Sequence, residues 1–158
     1  MSIEKVREYF RGYDMEDKVL EFEVSSATVE LAAIALGVEG KRIAKTMSFA
    51  KGDTCILVVA AGDARVDNAK FKQTFGMKAK MLAFDDVEPL VGHAVGGVCP
   101  FAVNDGVEVY LDVSMQRFAT VYPAAGSSNS AIEMTCDELE KYSSNFVEWV
   151  DVCKGWRP

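Results

Sequence analysis

Apolar residues recur along the chain in two rhythms, helical and extended, and the order in which they alternate predicts the elements. Ile3, Val6, Phe10 and Tyr13 fall at helical spacing, so residues 2–12 read as a helix closed by Gly12. Lys18 to Val24 (KVLEFEV) alternates apolar and charged residues, as a half-buried strand does. Ser25-Ser26 then offers hydroxyl acceptors to cap a second helix. Its apolar set Val29, Ala32, Ala33 and Leu36 repeats with helical period, Leu31 and Ile34 fill other faces, and Gly37 suits its end, so burial on most sides is expected.

Ile43–Phe49 and Thr54–Ala61 are strand-like runs joined by Ala50-Lys51-Gly52-Asp53, which predicts a hairpin. Residues 66–75 read as helical, 78–83 as extended and 85–90 as a short helix. Gly92–Ala102 (GHAVGGVCPFA) is too rich in glycine for a regular element and reads as a shaped loop, as does Gly126-Ser127-Ser128-Asn129. Strands are expected over 107–113, 119–122, 131–134 and 146–152. Thr135-Cys136-Asp137-Glu138 is a capping-box pattern that opens a last helix. Hairpins mixed with helical crossovers predict one α/β (α+β) domain over 1–158, built on a mixed sheet with packed helices.

Composition adds little to that picture until charge is mapped. With 158 residues, 49% of them hydrophobic, the chain can build a core without staples. No apolar run approaches the ~20 residues that a membrane helix needs. Met1-Ser2-Ile3-Glu4-Lys5 leads into no apolar signal core, so a cytoplasmic location and no membrane partner are expected. The net charge of −7 argues at first against a nucleic-acid partner. Its distribution changes that: residues 1–80 hold thirteen basic and twelve acidic side chains, residues 81–158 four and twelve. Residues 41–80 alone carry nine basic against three acidic, so a basic region could hold an RNA end while the acidic half faces away; a solvated lysine face is the competing reading.

Candidate chemistry is sparse. The sequence has no G-x-S-x-G elbow, P-loop, dinucleotide fingerprint or H-E-x-x-H. Cys55, Cys99, Cys136 and Cys153 form no C-x-x-C pair, and with His93 as the sole histidine they give no zinc set. Cys55 and Cys153 read as buried reduced thiols. Cys99 beside His93 would make a Cys/His hydrolase only with a third, orienting group, which the sequence does not supply. What remains is Lys45-Thr46 at the start of a strand and the two glycine loops.

These residues in their surroundings resemble the YbaK/prolyl-tRNA-synthetase-associated editing domain family. The resemblance runs through Thr28–Ala33, Arg42-Ile43-Ala44-Lys45-Thr46, Gly92–Phe101, Ala124-Ala125-Gly126 and Asp137-Glu138-Leu139. It implies a central mixed, partly barrel-like sheet and hydrolysis of the aminoacyl ester of misacylated tRNA, without metal or organic cofactor. By resemblance Lys45 would position the aminoacyl-adenosine end, Gly96 and Gly97 would offer N–H groups to the ester, and the substrate's own ribose hydroxyl would help activate water. Thr46, Ala27, Pro100, Phe101, Gly126, Ser127 and Asn129 would line the substrate pocket, with Phe101 equally readable as core and His93 as a residue behind the site. Lys41, Arg42, Lys70 and Lys72 would touch RNA. The expected partners are the acceptor end of an aminoacyl-tRNA and an aminoacyl-tRNA synthetase that hands it over. Where cysteine-editing members of the family carry an aromatic, a serine and an acidic residue, the present chain has Ala27, Ala124 and Ala131, and Asn129 stands nearest to another branch's histidine. Those departures favour a small side chain other than cysteine. They also keep open a non-catalytic module that senses an amino acid or aminoacyl-tRNA, and a hydrolase of a small ester or amide without RNA.

Overall fold

The computed structural model describes residues 2–157, with side chains from Ile3 onward. Helix α1 (Ser2–Arg11) turns Ile3, Val6 and Phe10 inward, as their spacing requires. The expected strand at 18–24 shortens to β1 (Val19–Glu21), preceded by a 3-10 turn at Glu16–Lys18. Its alternation is only partly realised, because Leu20 and Val24 face solvent.

Helix α2 (Val29–Leu36) is capped by Thr28, whose Oγ1 accepts from the Leu31 N–H at 3.1 Å. The serine pair does not cap it. Ser26 N–H donates to the Ser128 carbonyl at 2.6 Å, so the chain is still pinned to the late loop there and the helix opens two residues later. Nor is α2 buried on most sides: Ala32 is its one buried residue, while Leu31 and Ile34 are exposed. The helix lies on the surface, and Gly37 ends it in the left-handed conformation.

The hairpin is formed by β2 (Ile43–Lys51) and β3 (Thr54–Ala61) with Gly52-Asp53 at its tip. A short β4 (Arg65–Val66) leads to α3 (Asn68–Phe75), capped by Asp67. Residues 78–83 form no strand of their own but run beside β2 through a bridge between Met81 and Phe49. Helix α4 (Phe84–Val91), β5 (Glu108–Asp112), β6 (Tyr122–Pro123) and β7 (Ser130–Ile132) follow. Helix α5 (Cys136–Tyr142) carries the reciprocal capping box of Thr135 and Glu138, and β8 (Phe146–Val150) and β9 (Cys153–Lys154) close the chain.

The main sheet has the order β6-β2-β3-β5-β8, with β2 antiparallel to β3 and the other pairs parallel. Bridges Val121–Met134 and Ala124–Ala131 join it to the antiparallel β1–β7 pair, so the sheet curls into a half-barrel. Strand β3 lies at its centre, with Cys55 to Ala61 at most 1% exposed. Phe49, Phe71, Phe75 and Tyr110 stack in series on the α3 side, with successive ring centroids 4.6–4.8 Å apart.

The sheet order overturns the expected separation of charge. Because β5 and β8 pair beside β3, Lys51 meets Glu108 at 3.0 Å and Lys70 meets Asp151 at 3.2 Å, and at the β6 edge Arg42 meets Glu133, just after β7, at 3.8 Å. Part of the acidic half, Glu108, Glu133 and Asp151, therefore lies against the basic segment instead of facing away from it.

Candidate active site

A cleft of about 400 Å³ opens at the outer edge of β2. Its floor is Ile43 to Thr46 and Ser48. Ser26 to Val29 and Ala32 wall one side, Val95, Gly96 and Val98 another, and Tyr122, Ala124, Ser130 and Ala131 a third. Met81 and Phe84, 59% and 75% exposed, stand at the mouth. Most of this surface is apolar or hydroxyl. Among the described residues lining it, Lys45 and Tyr122 are the titratable ones, and no carboxylate, thiol or imidazole is present.

Lys45 projects from the middle of the sheet, opposite Ala60 of β3. Its ammonium donates to the carbonyl of Ala64, in the turn after β3, which fixes the head of a long side chain. An ammonium has three donors, so two stay available. Burial is the main cause that lowers the Lys45 pKa from its ordinary value, opposed by the charge environment of Cys153 and Asp63.

Gly96 lines the cleft with a φ of +95°, a conformation that favours glycine, and a Cβ there would lie 3.5 Å from those of Ala27 and Ser128. Gly97 serves differently. Its N–H already donates to the Ala94 carbonyl at 3.0 Å, so it is not offered to a ligand. A Cβ on Gly97 would meet Gly126 and Ser127 main-chain atoms at 2.7 Å, so this glycine lets the two glycine loops press together.

The structure thus brings Lys45, Thr46, Gly96 and Ala27 to one cleft, along with the two other alanines of interest, Ala124 and Ala131. It does not bring Pro100, Phe101, Gly126, Ser127 or Asn129 to its surface. Phe101 is fully buried against Phe10, with ring centroids 4.9 Å apart, and Pro100 is buried beside it. Ser127 Oγ donates to Ser130 Oγ at 2.7 Å, and Asn129 Nδ2 donates to the Phe22 carbonyl at 2.8 Å; the late loop spends its polar groups on its own shape. Four serines and threonines, Ser26, Thr28, Ser48 and Ser130, and the α4 residues Phe84 and Val87 line the cleft without having been singled out. No motif marks them, because they converge from separate elements.

Cys99 and His93 do meet, at 3.5 Å, but away from the cleft. His93 Nε2 lies 2.6 Å from the Phe101 carbonyl, and since a carbonyl only accepts, that nitrogen carries the proton. Both residues are fully buried, and burial pushes the Cys99 thiol up to about 12. This is a core contact, not a nucleophile and its base.

Of the basic residues expected to touch RNA, Arg42 lies at the cleft edge. Its guanidinium sits 5.1 Å over the Tyr122 ring and donates to Thr120 Oγ1 at 2.5 Å. Thr120 and Tyr122 both donate to Glu133, holding that carboxyl below its ordinary range. Lys41 pairs with Glu39 at 3.3 Å and Lys70 with Asp151, while Lys72 is exposed on α3.

The family profile of the aminoacyl-tRNA editing domain matches residues 23–142, which span the whole cleft. The chain belongs to this family. A protein called YwhH of Bacillus subtilis (strain 168), described as uncharacterized, is 55% identical over 157 residues, covering 99% of both chains. A proline–tRNA ligase of Bacillus cytotoxicus (strain DSM 22905 / CIP 110041 / 391-98 / NVH 391-98) is 29% identical over 85 residues; the match covers 53% of the present chain and 15% of the ligase. Among solved structures, a proposed trans-editing enzyme for prolyl tRNA synthetase superposes with a TM-score of 0.86 at 26% identity, covering 98% of each chain.

Proposed function

We propose that the chain hydrolyses the ester of misacylated tRNA carrying a small, uncharged amino acid. The observation that carries this reading is a cleft of about 400 Å³ on an aminoacyl-tRNA editing domain, walled by small apolar and hydroxyl side chains around a single ammonium. An aminoacyl ester is already activated, so the protein has mainly to orient it and stabilise the developing oxyanion. Lys45 supplies a charged donor held by Ala64, and Gly96 lets main chain approach the substrate closely. The lining lacks a side-chain general base, which fits water activation by the ribose hydroxyl of the substrate itself. Ala27, Ala124 and Ala131 leave no acidic group to receive a polar side chain. At the mouth, Phe84 and Tyr122 with its stacked Arg42 suit an unpaired RNA end.

Likeness to proline–tRNA ligase and to a prolyl trans-editing structure makes tRNA for proline the first substrate to try and a prolyl synthetase the first partner. Among the described residues no helix is long and apolar enough to cross a membrane, which accords with work beside the translation machinery in the cytoplasm. The test is a deacylation screen over all aminoacyl-tRNAs at several salt concentrations. Turnover of one or more small aminoacyl-tRNAs, with binding that weakens as salt rises, supports the reading. The tether between Lys45 and Ala64 favours a second reading, a sensor whose ammonium stays engaged. Binding without turnover on every member of the panel would select the sensor.

A further inference from the structure

Strand β2 has two neighbours on its outer side, and they do not meet. At one end β6 pairs with Ile43 and Ala44. At the other, residues 80–82 are held by Leu82 N–H donating to the Ser48 carbonyl at 3.2 Å and Ala50 N–H donating to the Lys80 carbonyl at 2.8 Å. Between Ala44 and Ser48 the edge is open over roughly 13 Å. The cleft lies over that opening: Tyr122 and Ala124 border it on one side, Met81 and Leu82 on the other.

The register fixes which main-chain groups face the gap. In an antiparallel pair a residue directs its N–H and C=O to the same side, alternating along the strand. Ser48 and Ala50 direct theirs outward, and the β2–β3 register runs unbroken from Ala44 to Lys51. The Ala61 N–H, opposite Ala44, points away from β2 to Ser114 Oγ at 3.1 Å, as this alternation demands. Thr46 therefore turns both its N–H and its C=O into the gap, where no described strand pairs with it. Its side chain has the same shortage: Thr46 Oγ1 is buried and has no hydrogen-bond partner. That hydroxyl is closed off from solvent, so it is the two main-chain groups of Thr46 that the gap leaves to a ligand.

We infer that Thr46 is the anchor of the aminoacyl unit, which pairs with the β2 edge as a strand of one residue. The α-ammonium of the substrate donates to the Thr46 carbonyl, and the ester carbonyl oxygen accepts from the Thr46 N–H. The two main-chain bonds have the geometry of a hydrogen-bonded antiparallel pair, with the two Cα atoms about 5.5 Å apart. A peptide strand cannot use this edge, since β6 and residues 80–82 block it at both ends; a single aminoacyl group fits. The pairing reads the amino acid's common atoms and leaves its side chain to the alanine walls. It also supplies the oxyanion donor that Gly97 does not provide. The inference rests on the reading of the cleft as the aminoacyl-tRNA site.

The experiment uses the full chain and two non-hydrolysable probes, 3′-alanylamino-3′-deoxyadenosine and its lactyl counterpart, in which a hydroxyl replaces the α-amine. Calorimetry should show the alanyl probe binding at least tenfold more tightly. Incorporating the α-hydroxy acid analogue of threonine at position 46 replaces the N–H by an ester oxygen and also weakens the Lys45 carbonyl, which faces β3, as an acceptor. That change should weaken the alanyl probe severalfold, measured on protein shown to be folded, since the lost N–H faces away from β3 while the weakened Lys45 carbonyl costs some stability. Equal affinity for the two probes, or no loss on deleting the N–H, overturns the inference even if aminoacyl-tRNA is turned over. Preference for the alanyl probe with no turnover of any aminoacyl-tRNA upholds it and removes the hydrolase reading instead. No binding of either probe also overturns it.

Discussion

The two strands of the central hairpin are near equals in length and opposites in employment. Strand β3 is paired on both sides, by β2 and β5, and from Cys55 to Ala61 it is sealed from solvent. Strand β2 shares every residue of that ladder on one side, yet on the other it is covered only at its ends. Its middle residues, Lys45 to Met47, are half-buried and carry a cation and a hydroxyl where β3 carries Val58, Val59 and Ala60. A strand saturated with partners has only packing left to contribute. A strand missing a partner has main-chain groups to offer a ligand, and its paired side holds them still.

This contrast can be broken by substitutions that separate stability from turnover. Leu57→Ala in β3 removes a fully buried side chain and should cost about 2–5 kcal/mol in denaturant melts, with activity per folded molecule unchanged. A specific loss of turnover at full stability would erase the distinction between the strands. Lys45→Ala in β2 should do the reverse. Deleting a charged hydrogen bond is worth about 1.5–3 kcal/mol, so deacylation of the best aminoacyl-tRNA should fall roughly ten- to hundredfold. Burial disfavours the ammonium and offsets part of the hydrogen bond to Ala64 that the substitution removes, so turnover is compared per folded molecule. Wild-type rates for Lys45→Ala would remove that residue from the mechanism.

The glycine loops sharpen the comparison, since Gly96 faces the cleft and Gly97 faces packed main chain. Gly97→Ala should destabilise by about 1–3 kcal/mol through overpacking against Gly126 and Ser127, visible as a lower melting temperature. The smallest effect concerns His93, buried behind the same loop with its pKa lowered chiefly by burial. The unfolded chain binds a proton below about pH 6.5 that the folded chain resists, so stability falls as pH drops through that value. The slope from this one group is at most about 1.4 kcal/mol per pH unit. Melts of wild type and His93→Gln at pH 7 and 5.5 should differ in that slope, and equal slopes would show that His93 takes up its proton while folded.

Part of the lining of the cleft was visible along the chain, for local reasons. Lys45-Thr46 stands in a strand run before a two-residue turn, and Gly96 lies in a segment too glycine-rich for a helix or strand. Ala27, Ala124 and Ala131 were legible as positions because the family resemblance aligns them. Gly97, Phe101, Ser127 and Asn129 misled for one shared reason: glycine, aromatic and polar loop residues look alike in sequence whether they face a ligand or the next loop. Their N–H groups, ring and side chains are consumed by Ala94, Phe10, Ser130 and Phe22, partners between 3 and 107 positions away. Cys99 and His93 were close in sequence and proved close in space, yet burial rather than proximity decided their chemistry.

By itself the sequence determined that the helices exist and where most of them stop, the hairpin, the capping box at Thr135 and the editing-domain kinship, since periodicity, turn residues and caps act over a few positions; the starts of α2 and α3 it placed too early. Only the tertiary structure decided that β2 runs short of a neighbour at Thr46, that α2 lies on the surface, and that acidic residues from the second half pair with Arg42, Lys51 and Lys70 of the basic segment. Which strands pair is settled by contacts spread across the whole chain, and a main-chain group left without a partner leaves no mark on the residue that bears it.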